Sequence, residues 1–360
     1  MEDYDRSKWV VNETDFKKDP DREDQPSPFG GCGIVTFWIQ KSTKRKCAKK
    51  MTQKKLKDDT RKHFDREVKI LATYHHPAIV PFVGFYEKNE YGNIYLETME
   101  NGSLHSMIDK NNKEEGRILD NTQKLIIAYG IAAAIEFLHS FNVLHRDLKA
   151  LNVLLNSKLQ PFVTDFDLAK ENNPNLSPYQ SIESATAAYM SPEFFENSEV
   201  AAHTKFFDVY AYGITIYQLI TGLMPFLGIS VYKIGCIVVE GQRPSIPDFT
   251  PSYWKQLIEA CWDNNPIGRP TFTEICNRLE SNVFCNDTID KKRFNEYKNL
   301  IKPRRPIPSS EFSATTPPKK IDDPIIPSSE TPPKSPLSVN KSKPLLTIAP
   351  TSDSKEPEPS

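Results

Sequence analysis

The chain has 360 residues, enough for one large or two ordinary domains, and its 46 Lys and Arg residues almost balance its 47 Asp and Glu residues. This balance gives no indication of a nucleic-acid or anionic-membrane partner, and no apolar stretch is long enough to span a bilayer. The six cysteines are scattered singly without metal-ligand spacing, which is typical of a reducing compartment. We therefore expect a cytoplasmic protein, with the nucleus as the alternative, that binds no nucleic acid and is not inserted in a membrane.

The N-terminal third combines a polar leader with strand patterns and one helix. Residues 1–24 are polar and charged, and we expect a flexible leader that docks loosely or not at all. Phe64, Val68 and Leu71 share one face of a helix predicted over residues 58–73. Strands are predicted at residues 34–39, 47–51 and 93–97.

Between about residues 103 and 282 the pattern is helical. Residues 126–139 are dense in Ala, Ile and Leu, which is typical of a buried helix. Residues 208–221 are similar and are followed by Gly222, a favourable residue for ending a helix. A capping box at Thr271 begins the last predicted helix.

Two segments lack this periodicity. Asn, Ser and Pro dominate residues 170–185, which predicts a mobile surface loop. Residues 303–360 hold 14 of the 29 prolines and almost no aromatic residues. Such a segment cannot bury enough apolar surface to offset its ordering entropy, so we expect a disordered, extended tail.

One loop holds the residue types that phosphoryl transfer from ATP requires. Residues 145–152 are His-Arg-Asp-Leu-Lys-Ala-Leu-Asn, and Asp165 follows thirteen residues after Asn152, in an Asp-Phe-Asp tripeptide. A carboxylate can orient the attacking hydroxyl, a lysine can cover the migrating phosphoryl group, and amide and carboxylate oxygens can hold magnesium. The two motifs resemble the HRDLKxxN catalytic loop and the DFG metal loop of protein kinases.

The resemblance to protein kinases covers residues 25–283. It implies an α+β, bilobal protein kinase fold, with a small β-sheet N-lobe that carries one helix and a larger, mainly helical C-lobe. The disordered proline-rich tail would follow this domain. The expected boundaries are the N-lobe at 25–97, the hinge at 97–102, the C-lobe at 103–283, a short extension at 284–302 and the tail at 303–360.

The resemblance also implies an activity, that of an ATP-dependent protein serine/threonine kinase acting on protein substrates in intracellular signalling. Asp147 is then expected to accept the proton of the substrate hydroxyl. Lys149 would neutralise charge on the moving phosphoryl group. Asn152 and Asp165 would hold Mg²⁺, with Mn²⁺ as an alternative, through hard oxygen ligands.

A second set of residues resembles the nucleotide site of the family. Lys50, on the third strand, would bind the α- and β-phosphates, and Glu67 on the predicted helix would pair with it. Lys49, on the opposite strand face, is expected to point to solvent. The basic run 41–57 could also be a nuclear signal or an RNA patch, but a solvated hairpin is favoured. The expected nucleotide-binding residues are Gly30, Gly33, Val35, Ala48, Lys50, Leu96, Glu97, Met99 and Leu154.

Other matches are structural in the family. His145 belongs to a set that matches the apolar stack between the lobes, so it is interpreted as a core histidine rather than a base or ligand. Glu193 would pair with Arg269, and Asp208 would anchor the catalytic loop. The expected members of the apolar stack are Leu71, Phe82, His145 and Phe166.

The substrate class follows from the same resemblance. Lys149, two residues after Asp147, together with Thr186 matches the serine/threonine pattern rather than the tyrosine one. Residues 261–263, Cys-Trp-Asp, leading to 266–272, are similar to the tyrosine-kinase-like group of serine/threonine kinases.

Arg146, beside the catalytic acid, indicates control by phosphorylation, because a phosphate on the following loop can align a cationic residue at this position. For most of the hydroxyls in that loop, a solvated residue without such a role is the alternative. The candidate acceptors are Ser177, Tyr179, Ser181, Ser184 and Thr186.

Two positions depart from the family pattern. Pro28 stands where the first glycine of the glycine-rich loop is expected, and proline removes a donor and fixes φ. Asp167 replaces the DFG glycine, and if this position needs φ > 0 the substitution costs about 1–2 kcal/mol. The alternative function is therefore a pseudokinase scaffold with weakened catalysis. The active kinase is favoured because neither change removes a ligand or a base.

The tail offers candidate docking sites. Residues 303–306, Pro-Arg-Arg-Pro, form a PxxP motif suited to the aromatic-lined groove of an SH3-like partner. Each of Thr316, Thr331 and Ser335 precedes a proline and could accept phosphate from proline-directed kinases. An inert linker is the alternative.

Overall fold

An antiparallel sheet of five strands forms the N-terminal part of the computed structural model, which describes residues 4–22, 34–113, 118–171, 187–196 and 204–302. The strands are β1 (Phe16–Lys18), β2 (Ile34–Gln40), β3 (Lys46–Met51), β4 (Phe82–Lys88) and β5 (Tyr91–Glu97), and their spatial order is β1-β2-β3-β5-β4. Strand β3 is bonded to β2 on one side and β5 on the other. Because side chains alternate along a strand, Lys49 and Lys50 lie on opposite faces of this sheet.

One helix, α1 (Asp58–Thr73), packs against this sheet, and its bounds confirm the prediction. Its apolar residues Phe64, Val68 and Leu71 are 2%, 0% and 2% exposed. The ring of Phe64 meets the ring of Phe85 on β4 edge-on, with 5.9 Å between centroids. The helix is therefore fixed to the sheet by the face that the sequence spacing identifies.

Helices make up most of the C-terminal part: α2 (Leu104–Lys113), α3 (Asn121–Ser140), α4 (Pro192–Glu196), α5 (Lys205–Thr221), α6 (Val231–Val239), α7 (Ser252–Cys261), α8 (Phe272–Leu279) and α9 (Lys291–Ile301). Helix α5 ends at Gly222, whose φ is 75°, and the capping box at Thr271 begins α8. The predicted end of α5 at Gly222, the predicted helix start at Thr271 and the α+β bilobal fold are confirmed. Among the helices that the structure describes, none has the length and apolar character of a membrane span.

Two short strand pairs frame the motif residues. Strand β6 (Val143–Leu144) pairs with β9 (Lys170–Glu171), and β7 (Val153–Leu155) pairs with β8 (Pro161–Val163). The loop at 145–152 therefore runs from β6 to β7, and the Asp-Phe-Asp tripeptide follows β8. Both motifs begin where a short strand ends, which fixes their backbones on the same part of the C-terminal lobe.

Residues 4–22, here called the N-terminal segment, correct the expectation of a flexible leader. Part of the segment is strand β1, which pairs with β2. The Phe16 ring is 3% exposed and stacks on the ring of Tyr95, with 3.7 Å between centroids. The Val11 N–H donates to the carbonyl oxygen of Phe85 at 2.9 Å. Val11 and Phe16 thus pack on the face of the sheet opposite α1, against residues far away in the sequence.

The N-terminal segment also changes the surroundings of Lys49, which the sequence pattern places in solvent. Only 12% of the Lys49 side chain is exposed. Its ammonium lies 4.5 Å from the centroid of the Trp38 ring and donates to the Tyr86 hydroxyl at 3.3 Å. The same hydroxyl donates to Glu13 of the segment at 2.9 Å. Burial lowers the pKa of Lys49, which lies in an interface rather than in water.

Residues 284–302, expected as a short extension beyond the domain, contribute to its core. The Phe294 ring of α9 is 1% exposed and meets the ring of Tyr129 on α3 edge-on at 5.5 Å. A Cβ at Gly130 of α3 would lie 2.2 Å from the hydroxyl of Tyr297, so glycine is needed for this close approach. The core therefore continues to Ile301, which is fully buried.

Candidate active site

The loop between β6 and β7 brings three buried polar side chains together. The Lys149 ammonium donates to both carboxylate oxygens of Asp147, at 3.1 and 2.8 Å. The Asn152 Nδ2 donates to the main-chain carbonyl of Asp147 and to its Oδ2, both at 2.8 Å. Burial, opposed by the charge of Lys149, raises the pKa of Asp147. A carboxylate, a cation and an amide are therefore held in fixed relative positions.

Asp208, in the first turn of α5, fixes the backbone that leads into this loop. Its Oδ2 accepts the N–H of His145 at 2.9 Å, and its Oδ1 accepts the N–H of Arg146 at 2.8 Å. The Nε2 of His139 lies 2.8 Å from the same Oδ2. Arg146 has a φ of 66°, a left-handed conformation that is costly for a non-glycine residue. The buried bonds to Asp208 stabilise this conformation, as expected of an anchor.

A second cluster joins β3, α1 and the Asp-Phe-Asp tripeptide. The Lys50 ammonium donates to both carboxylate oxygens of Glu67, at 2.9 and 3.1 Å, and to Oδ1 of Asp165 at 2.7 Å. Glu67 and Asp165 are 3% and 5% exposed. Burial raises the pKa of Glu67, while the charge of Lys50 opposes this effect. One lysine thus connects the sheet, the helix and the second motif.

All four residues of the predicted apolar stack are buried. The rings of His145 and Phe166 lie 5.1 Å apart, and Nε2 of His145 is 3.1 Å from the carbonyl oxygen of Thr164. His145 is fully buried. Its Nδ1 accepts the N–H of Asp147 at 3.3 Å. The interpretation of His145 as a core histidine is confirmed, because both ring nitrogens bond the backbone and the ring does not reach solvent.

The residues expected around adenine come from neighbouring strands. Pairing of β3 with β5 places Ala48 opposite Leu96, and an isolated bridge to Ser103 brings Leu154 of β7 to the segment after β5. Within the described part of the chain, the Met99 N–H donates to no other backbone group. This leaves a main-chain donor beside a buried apolar surface. The other expected residues are Val35, opposite Lys50 on β2, and Glu97, at the end of β5.

Several sequence predictions fall on residues outside the described part of the chain. These are the glycine-rich loop with Gly30, Gly33 and Pro28, the candidate phosphate acceptors and the tail. They stay predictions. The acceptors concerned are Ser177, Tyr179, Ser181, Ser184 and Thr186, and the tail comprises residues 303–360.

Asp167 does not carry the backbone strain that its position suggested. Among the described non-glycine residues, Asp165 has a left-handed φ of 69°, whereas Asp167 does not have a positive φ. Arg66 on α1 donates to the Asp167 carbonyl oxygen at 3.1 Å. Burial, followed by the charge of Asp165, raises the pKa of Asp167 to about 8. The residue adds a carboxyl group beside the Lys50 cluster without requiring a glycine-like backbone.

The predicted pair of Arg269 and Glu193 is confirmed. The two terminal nitrogens of Arg269 donate to the two carboxylate oxygens of Glu193, at 2.6 and 2.8 Å, and the Arg269 side chain is fully buried. The guanidinium also donates to the carbonyl oxygens of Phe206 and Asp263, at 3.0 and 2.9 Å. The arginine therefore joins α4, α5 and the segment before α8.

Sequence reasoning missed His63 of α1, which lies within electrostatic range of Arg146. Burial, together with the positive charges of Arg66 and Arg146, lowers the pKa of His63. His63 lies one helical turn before Glu67, so their spacing alone would have placed these two side chains on a common face of α1. His63 therefore interacts electrostatically with Arg66 of its own helix and with Arg146 of the catalytic loop.

Comparison with known proteins agrees with this geometry. A family model described as protein tyrosine and serine/threonine kinase matches residues 31–279. A probable LIM domain-containing serine/threonine-protein kinase of Dictyostelium discoideum is 36% identical over 223 residues, 60% of this chain and 32% of the relative. The serine/threonine/tyrosine-protein kinase HT1 of Arabidopsis thaliana is 32% identical over 240 residues, 64% of this chain and 58% of the relative. The dual specificity protein kinase shkB of Dictyostelium discoideum is 30% identical over 275 residues, 74% of this chain and 40% of the relative. The chain thus spans only part of the length of each relative.

Proposed function

The chain belongs to the protein tyrosine and serine/threonine kinase family, and from this premise we propose that it transfers the γ-phosphoryl group of ATP to Ser and Thr hydroxyls of protein substrates. Members of this family use ATP and a divalent metal ion. The observation that carries the proposal is the completeness of two buried polar clusters, one around Asp147 and one around Lys50. Each residue type that phosphoryl transfer requires is present in them.

Asp147 is the proposed proton acceptor. Its carboxylate would take the proton of the substrate hydroxyl while that oxygen bonds to the γ-phosphorus, and the bond from the γ-phosphorus to the bridging oxygen would break to release ADP. Asn152 orients the carboxylate through its bond to Oδ2, at 2.8 Å. Lys149, bonded to the same carboxylate at 2.8 Å, would neutralise charge on the moving phosphoryl group.

Lys50 would bind the α- and β-phosphates, because its bonds to Glu67 fix the ammonium at the surface of β3. Asn152 and Asp165 suit Mg²⁺, which we propose as the metal with Mn²⁺ as the alternative. The Asn152 nitrogen is engaged by Asp147, which leaves its carbonyl oxygen as a hard ligand. In the described ranges no group of three His, Cys, Asp or Glu side chains is arranged to hold a metal. We therefore expect phosphate oxygens to complete the coordination, and the metal to neutralise phosphate charge.

The adenine ring would lie between Ala48 and Leu154, with Leu96 as the gatekeeper side chain. Backbone groups of Glu97 and Met99 would bond the adenine edge. The Met99 N–H donates to no other backbone group in the described part of the chain, which supports this assignment. Val35, which pairs with Lys50 across β2 and β3, would cover the ring from the sheet, and Gly30 and Gly33 would approach the phosphates.

An inactive scaffold is not favoured. The two departures that motivated this alternative are Pro28, which lies outside the described residues, and Asp167. Asp167 lacks the left-handed backbone that would have made the loss of glycine costly. No proposed ligand or base is replaced, and the buried bonds of Lys50 and Asp147 are all formed.

The test is phosphate incorporation by the whole chain. The protein is incubated with labelled ATP, Mg²⁺ and a basic protein substrate, and phosphoserine, phosphothreonine and phosphotyrosine are separated. Asp147→Asn is the inactive comparison, and Asp109→Asn, which changes a half-exposed acid on α2, is the matched control. We expect Ser and Thr labelling that Asp147→Asn lowers by about 10²–10⁴-fold and Asp109→Asn leaves unchanged. Phosphotyrosine as the main product would contradict the substrate class, and equal labelling by Asp147→Asn would contradict the proposed base.

Control by loop phosphorylation is a further part of the proposal. The electrostatic interaction of His63 with Arg146 supports it, because a second basic side chain near Arg146 can help to bind a doubly charged phosphate. Active protein would be mapped by mass spectrometry, and Ser177, Tyr179, Ser181, Ser184 and Thr186 would be changed to Ala one at a time. If none of these changes alters the rate, loop phosphorylation does not control the enzyme.

The tail at 303–360 is proposed to bind SH3-like partners or proline-directed kinases through its proline motifs. The support is compositional: a PxxP segment with two arginines and three Ser-Pro or Thr-Pro sites. Deleting 303–360 should abolish binding of an isolated SH3 domain. Changing Thr316, Thr331 and Ser335 together to Ala should lower phosphate incorporation by a proline-directed kinase, since Ser-Pro and Thr-Pro sites such as Ser177 remain outside the tail. Binding that persists after the deletion, and unchanged incorporation in the triple variant, would contradict the proposal.

A further inference from the structure

The N-terminal segment lies before residue 31, where the family match begins, yet it packs on elements that hold the active site. Trp9 is the central contact. Its ring centroid lies 4.9 Å from that of Phe82 and 5.8 Å from that of His75. Phe82 is a member of the apolar stack. The family match therefore leaves out a residue that packs directly against the structural core of the site.

The segment crosses β4 at a distance that only glycine allows. A Cβ at Gly84 would lie 2.5 Å from Cγ1 of Val11 and 2.9 Å from the carbonyl oxygen of Trp9. Gly84 also has a φ of 154°, which L side chains rarely adopt. The sequence of β4 is thus matched to the segment that lies on it.

Arg6 connects this strand to α1. Its Nη2 lies 2.8 Å from Oδ1 of Asp65 on α1 and 2.8 Å from Oε1 of Glu87 on β4. The guanidinium carbon is 4.7 Å from the centroid of the Phe85 ring, also on β4. Each exposed ion pair is weak by itself. Both pairs nevertheless oppose the same motion, the withdrawal of α1 from β4.

We propose that Trp9 and Arg6 are positioning residues for phosphoryl transfer, because they hold α1 against β4 and thereby keep Glu67 bonded to Lys50. Asp65 and Glu67 are two residues apart on α1, so their side chains leave the helix on different sides. Arg6 holds the outer carboxylate, and the inner one holds Lys50. Movement of α1 would break both contacts, and the fraction of molecules with an aligned Lys50 would fall. The effect on rate rests on the proposed kinase function, whereas the effect on α1 does not.

The first experiment compares Trp9→Ala with Lys8→Ala in the whole chain. Lys8 is exposed in the same 3₁₀ turn and is the matched control. We expect Trp9→Ala to lower kcat about tenfold with the peptide KM within about twofold, and Trp9→Phe to restore most of the rate. Amide hydrogen exchange should accelerate about tenfold in residues 58–73 and stay unchanged in residues 121–140. Lys8→Ala should change neither quantity. Equal exchange of 58–73 in the two Ala variants would overturn the proposal.

The second experiment asks whether Trp9 acts through Glu67. In a Glu67→Gln background, Trp9→Ala should lower kcat by less than about twofold more, because the contact that it aligns is already lost. A full tenfold loss in both backgrounds would show a general structural role and overturn the proposal. If Trp9→Ala does not fold, Arg6→Ala removes only a half-exposed side chain and should change exchange and rate in the same direction by about threefold. If the unaltered chain transfers no phosphate, the proposed function fails, and exchange of 58–73 alone decides the role of Trp9.

Discussion

Neighbouring residues of β3 separate catalysis from packing. Lys50 faces α1 and bonds Glu67 and Asp165, whereas Lys49 faces the N-terminal segment and lies over the Trp38 ring. The two side chains are 16% and 12% exposed, so burial does not distinguish them. Their partners distinguish them, because Lys50 is surrounded by the carboxylates of the site and Lys49 by aromatic rings.

Replacing each lysine with Met should therefore give different kinetics. We expect Lys50→Met to lower kcat by about 10²–10³-fold, the usual loss when a preorganised charge at a reacting phosphate is removed. Lys49→Met should keep kcat within about threefold while the loss of its contact with Trp38 lowers stability by about 0.5–2 kcal/mol. Both variants can lose melting temperature, so steady-state kcat is the deciding measurement. Similar kcat values for the two variants would contradict the assigned roles.

Restoring glycine at position 167 tests whether the departure there weakens catalysis. Asp167 has no left-handed φ to relieve, so Asp167→Gly should leave kcat within about threefold. The added chain freedom costs about 0.5–1 kcal/mol. Removal of a buried carboxyl group beside Asp165 favours folding, so we expect no net loss of stability at pH 7. Rate and urea unfolding are measured on the same preparation. A tenfold gain in kcat would instead support the reading of the natural chain as a weakened kinase.

At the scale of secondary-structure elements, ion pairs of similar geometry differ in what surrounds them. The pair of Arg269 and Glu193 joins α4 to the segment before α8, and its guanidinium is fully buried. The pair of Arg293 and Asp120 joins α9 to the start of α3, with side chains 40% and 55% exposed. Only the buried pair would leave an uncompensated charge in the core if one partner were removed.

The two arginines should therefore differ in their effect on unfolding. Arg269→Ala removes the donors that the guanidinium supplies to Glu193 and to two backbone carbonyls, and we expect it to cost about 3–5 kcal/mol. Arg293→Ala removes an exposed pair and should cost no more than about 1 kcal/mol. Urea unfolding followed by circular dichroism gives both values. Equal costs would mean that burial of the Arg269 pair has no energetic consequence.

At the scale of the whole molecule, the sequence predicts what local signals determine. The bounds of α1, the end of α5 at Gly222 and the capping box at Thr271 follow from periodicity and capping residues. The two charged clusters also follow, because the resemblance of their motifs to those of protein kinases implies which residues meet. The stacking of Phe16 on Tyr95 was missed, since a contact between distant residues leaves no periodic pattern. The packing of α9 on α3 was missed for the same reason.

These missed elements should decide whether a shortened chain folds. The fragment 31–279, the extent of the family match, lacks β1 and α9, whereas 4–302 keeps both. Of the residues lost, Phe16, Phe294, Tyr297 and Ile301 are at most 3% exposed, and burial of each such side chain contributes about 1.5–3 kcal/mol. Their sum is comparable with the total stability of a domain, about 5–15 kcal/mol.

We expect 4–302 to melt cooperatively within a few degrees of the whole chain and 31–279 to show no cooperative transition. The fragment 31–302 separates the two contributions, because it restores α9 alone. Cooperative melting of 31–279 near the whole-chain temperature would mean that β1 and α9 lie on the domain without stabilising it.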